Sequence, residues 1–106
     1  MNIPFTGLYQ RIPKQLMRSC GYAEIYDQKT RKTSYVKTFG AGFYPRFHVY
    51  LDMKDNGFMV NLHLDQKKPS YGSNHAHNAE YDGTRVEQEG ERIKRTIDQY
   101  KQNIQI

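Results

Sequence analysis

All four histidines of this 106-residue chain, His48, His63, His75 and His77, fall within one stretch of sequence. An imidazole nitrogen is both a good metal ligand and a group that titrates near neutral pH, so the clustering points to two chemistries. The first is a metal centre. Zinc takes three or four ligands of this kind, and the four histidines, with Asp65 beside them, supply a full shell; hydrolysis is one use of such a centre. The second is metal-free cleavage of an RNA phosphodiester, with one histidine as general base and another as general acid. Lys67, Lys68 or Arg46 would then neutralise the extra charge on phosphate. The plain alternative keeps His48 and His63 as polar-face residues, stacked with Tyr50 and hydrogen-bonded to Asp52 or Asn61. No HExxH or comparable family spacing is matched, so no catalytic residue and no enzymatic activity is assigned.

The element that must position these groups is the clearest in the chain. Phe47, Val49, Leu51 and Met53 alternate with His48, Tyr50 and Asp52, and Phe58, Val60, Leu62 and Leu64 alternate with Met59, Asn61, His63 and Asp65. Period-two alternation of this kind makes two half-buried strands. A loop Lys54-Asp55-Asn56-Gly57, ending in a left-handed glycine, pairs Met53 with Phe58. His48 then faces His63 and Tyr50 faces Asn61, about 5 Å apart at Cβ. A slip of two residues would keep the apolar face and pair His48 with Asp65 instead. His75-Ala76-His77, in an extended segment, turns both rings to one side, so the loop of residues 66 to 83 is able to close over the hairpin, with Glu80 and Asp82 nearby.

Around that hairpin the sequence predicts a further hairpin and two helices. Met1 to Gln10, with Pro4 and Gly7, reads as irregular. Ile12 to Ser19 reads as a short helix, with Pro13 at its first position and Gly21 past its end. Its packing face is Ile12, Leu16 and Cys20, and its basic face is Arg11, Lys14 and Arg18. Gly21 to Phe39 is rich in β-branched and aromatic residues around the polar run Gln28 to Lys32, the pattern of a hairpin with a basic loop. Thr84 and Glu87 fit a capping box at the start of a carboxy-terminal helix. Its apolar stripe is Val86, Gly90, Ile93, Ile97, Tyr100 and Ile104, with Gly90 allowing close approach to the sheet. The expectation is therefore a single α+β domain over residues 1 to 106: an antiparallel sheet of about four strands packed against a C-terminal helix, with a short N-terminal helix at one edge.

Charge suggests a partner. Of a net charge of +5, residues 1 to 53 carry eight Lys/Arg against three Asp/Glu, whereas residues 54 to 106 carry eight of each. A basic half of this kind, interleaved with Tyr22, Tyr26, Tyr35, Tyr44, Tyr50 and Tyr71, fits an RNA-binding module on whose sheet face bases stack. The residues expected to touch nucleic acid are Arg11, Lys14, Arg18, Lys29, Arg31, Lys32, Arg46, Tyr50, Lys67 and Lys68. The zinc site is the rival expectation, and docking of another protein by the long loop is a third. No RNP-type motif is present.

The run Asn61-Leu62-His63-Leu64-Asp65-Gln66-Lys67-Lys68-Pro69-Ser70-Tyr71, with Glu80-Tyr81-Asp82-Gly83 after it, resembles a segment of short uncharacterised proteins from candidate-phylum bacteria. The resemblance covers about the second half of the chain and implies a small bacterial, cytoplasmic protein without carrying over any site residue. Consistent with that expectation, no stretch approaches the roughly 18 apolar residues of a membrane span. A lone cysteine, Cys20, permits no internal disulfide and no CxxC zinc site, and is expected to be buried and chemically idle.

Overall fold

The structure is a computed structural model that describes residues 1–66 and 83–102, together with the backbone of residues 79–80. The chain runs through β1 (Asn2–Thr6), α1 (Pro13–Ser19), β2 (Ala23–Asp27), β3 (Lys32–Thr38), β4 (Arg46–Lys54), β5 (Gly57–Asp65), the two-residue β6 (Ala79–Glu80) and α2 (Thr84–Asp98). Five antiparallel strands lie in the order β1-β5-β4-β3-β2, and β6 pairs with β5. The α+β architecture is the expected one. Of its additional strands, β1 is formed by the residues expected to be irregular, and β6 lies within the stretch expected to be a loop. Ile3 and Phe5 alternate inward from it and are buried, while Pro4 is tolerated because β1 lies at the edge of the sheet.

The β4–β5 hairpin has the expected register, from Arg46↔Asp65 through His48↔His63 and Tyr50↔Asn61 to Met53↔Phe58. Its turn differs. Lys54 and Gly57 pair with each other, so Asp55 and Asn56 alone make the turn, and Gly57 does not take a positive φ. The glycine is required for another reason: a Cβ there would run into the Phe5 carbonyl of β1. One strand edge therefore passes close over the end of the hairpin.

Phe47, Val49, Phe58, Val60, Leu62 and Leu64 form the core face of the sheet, and Val86, Ile93 and Ile97 of α2 pack on it. Leu16, Met17 and Cys20 of the α1 segment join the same core. Ile12, expected to pack, is instead the N-cap and is exposed, because Pro13 begins the helix and Leu16 and Met17 point inward. At the start of α2 the expected capping box does not form. Gly83, at φ 119°, is the N-cap, and its carbonyl accepts the Glu87 N–H. Thr84 is already helical, so its side chain makes no cap. Gly90 does face the sheet, where an added Cβ would meet the Met1 thioether and Ile3. Helix α2 ends at Asp98. Tyr100 packs against the core from beyond the helix, and Ile104 lies outside the described residues.

Glu89, which is not part of the expected apolar stripe of this helix, is buried. It accepts the Tyr22 hydroxyl proton at 2.5 Å and is gripped by Arg92 at 2.7 and 2.8 Å. Arg92 also donates to the Cys20 carbonyl, tying the end of α1 to α2. A buried carboxylate is tolerated because every partner it needs is present.

Candidate metal centre

His48, His63 and Asp65 lie on the face of the sheet opposite α2, since each alternates with the core residues on either side of it. Although that face was expected to be polar and open, all three are buried, at 7, 6 and 7 % exposure. Their positions follow from the hairpin. His48 and His63 are directly opposed, Asp65 is two residues beyond His63 on the same face, and Arg46 is directly opposite Asp65.

The carboxylate of Asp65 organises the group. Its Oδ2 faces His48 Nδ1 at 2.9 Å and Arg46 Nε at 3.2 Å, and its Oδ1 faces His63 Nε2 at 3.1 Å. A carboxylate only accepts, so each of these nitrogens carries a proton in the arrangement shown. Burial pushes the Asp65 carboxyl upward, but the hydrogen bonds from His48 and His63 and their attraction outweigh it, and the group is held well below the usual carboxylate range. On the far side of its ring, His48 Nε2 lies 2.7 Å from the Ser34 hydroxyl. Tyr50 covers the pair, its ring 4.7 Å from His48 and 5.8 Å from His63 between centroids.

Ser34 was not foreseen as part of this group. It is buried on β3, where Val36 pairs with His48, so Ser34 is the diagonal neighbour two residues away on the same face. The signal was present in the pattern of β3, where one small hydroxyl residue sits among larger ones, but it is legible only once β3 is known to pair with β4.

This cluster has the composition of a metal site. One ligand atom each from His48, His63 and Asp65 lies within 4.8 Å of the others, and two ligands on one zinc ion sit about 3.4 Å apart for bonds near 2.1 Å. Small rotations of the two rings would close that gap. With His48 Nδ1 on an ion, its Nε2–H would donate to Ser34, the kind of outer hydrogen bond that fixes the tautomer of a ligating histidine. Arg46 opposes a cation at the same carboxylate. His75 and His77, the other two expected ligands, lie outside the described residues.

The expected nucleic-acid residues are placed in several regions. Arg11, over the Tyr100 ring at 4.5 Å and bonded to Ser19, and Lys14, paired with Glu24, belong with Arg18 to the α1 region. Lys29, Arg31 and Lys32 cluster at the β2–β3 turn, and Arg46 and Tyr50 lie with the histidines. Lys67, Lys68 and Tyr71 are outside the described residues. No helix among the described residues is long and apolar enough to cross a membrane. Comparison with protein-family models, curated proteins and solved structures returns no match, so the site stands on its own geometry.

Proposed function

We propose that this protein binds a divalent metal ion, zinc before others, through His48, His63 and Asp65. The observation that carries the reading is the convergence of three buried ligand atoms on two register-locked strands. Two imidazole nitrogens and one carboxylate favour zinc or a neighbouring transition metal over magnesium or calcium, which prefer oxygen donors. The three ligands among the described residues leave at least one position on a four-coordinate zinc ion, the position that water takes in zinc sites that do chemistry. Ser34 and Tyr50 would then form the outer shell, one setting the His48 tautomer and the other shielding both rings.

The test is zinc titration of tag-free protein by calorimetry, with native mass spectrometry to count ions. One ion bound per chain is expected, and loss of that ion in the His48→Gln/His63→Gln double variant, with its circular dichroism unchanged. Protein that takes up no zinc, or a double variant that binds as well as the parent, refutes the proposal.

A further inference from the structure

The helix-bearing face of the sheet carries a second feature that the histidine cluster does not use. Arg85, Gln88, Arg92 and Arg95 recur along α2 at spacings of three, four and three, which puts them on one stripe beside the buried one. With Phe39, Phe47 and Glu89 they line an open groove of about 510 Å³. Its floor is rigid. Phe47 is a core residue, Phe39 packs edge-on against it at 4.8 Å, and Arg92 is held by Glu89 and the Cys20 carbonyl. Arg92 is thereby neutralised. Arg85 and Arg95 are not: both are exposed, and neither forms an ion pair among the described residues. The Arg85 guanidinium instead lies over the Phe39 ring, 5.5 Å from its centroid.

We infer that this groove binds single-stranded nucleic acid. Arg85 and Arg95 are ten residues apart on one helix, a separation of about 15 Å at 1.5 Å per residue. That span suits a strand with successive phosphates better than a single phosphate. Beside the Arg85 guanidinium, the partly exposed Phe39 ring offers what an unpaired base stacks on. A duplex presents no free base faces to such a ring, and an acidic peptide has a planar ring to place there only where it carries an aromatic residue, whereas every nucleotide of a single strand carries one. The groove's arginines are not among the residues expected from sequence to touch nucleic acid, because the acids of α2 mask them in any count: Glu89 is spent internally on Tyr22 and Arg92.

Fluorescence anisotropy with a labelled single-stranded RNA of about 12 nucleotides tests this, at about 50 mM salt and in the presence of EDTA so that metal binding is silent. The Arg85→Gln/Arg95→Gln variant should bind about tenfold more weakly, with a salt dependence shallower by about 1.4 in log–log slope, the share of two phosphate contacts. Phe39→Leu should lose about fivefold or more, the smallest stacking contribution of one base. Lys29→Gln/Lys32→Gln, at the β2–β3 turn, should stay within about twofold of the parent. Four results would each overturn the assignment: no binding at low salt, equal losses in the groove and turn variants, an unchanged Phe39→Leu, or displacement of the RNA by polyglutamate or by duplex as readily as by unlabelled strand. The arginine variant changes exposed side chains only, so its result does not depend on how Phe39→Leu folds.

Discussion

Around Asp65 the neighbours pull in opposite directions, which makes the proposed metal reading open to a paired substitution. Ser34 accepts or donates at the far nitrogen of His48, and in a metal-bound ring it would accept from Nε2–H. Ser34→Ala leaves that N–H buried without an acceptor and frees the ring to turn, so zinc affinity should fall about 10- to 100-fold. Arg46 places its Nε 3.2 Å from Asp65 Oδ2, and a unit charge about 5 Å from an ion opposes it even in the dielectric of water. Arg46→Gln should therefore tighten zinc binding by at least about fourfold. Calorimetric zinc titration of both variants reads the two signs side by side. If both substitutions move affinity the same way, the ion does not sit at the carboxylate between them. Cys20 contributes nothing to this chemistry: burial pushes its thiol up to about 11.

The β4–β5 hairpin fixes the site, and the end of that hairpin is in turn held by β1. Gly57→Ala drives a methyl group into the Phe5 backbone carbonyl, which has no rotamer by which to escape, so unfolding free energy should drop by about 3 kcal/mol. Gly90→Ala makes a close approach too, but to the flexible end of Met1. There the roughly 1 kcal/mol gained in helix propensity offsets much of the strain. Urea denaturation should thus show a large loss for the first and little change for the second; comparable losses would mean that β1 yields as easily as a side chain. The hairpin and its register were legible in sequence because two runs of period-two alternation admit few pairings that keep both apolar sets on one face. Strand β1 was not, since Pro4 and Gly7 mask an alternation only five residues long. Gly57 was correctly singled out but for the wrong reason, because its constraint comes from a strand some fifty residues away and not from its own turn.

Across the whole molecule the two faces of the sheet enclose different polar groups, Glu89 with Tyr22 and Arg92 under α2 and Asp65 with its histidines opposite. The alternation pattern foretold which residues share a face, but not that His48, His63 and Asp65 would be buried, nor that Ser34 and Glu89 would be drawn in, because these depend on strands and helices packing across long sequence separations. One consequence is a global dependence of stability on acid. The Asp65 carboxyl is held below its ordinary value in the folded chain, so the folded state favours the ionised form more strongly than the unfolded state does. Its contribution is fully present above the unfolded carboxyl value, about pH 4, and is lost as pH falls toward the lower folded value. Asp65→Asn cannot ionise and so lacks that component. The stability gap between the parent and Asp65→Asn, from urea unfolding in the presence of EDTA, should be widest near pH 5 and narrow steadily toward pH 2. A gap that stays constant over that range would show that the carboxylate is not what the two histidines hold.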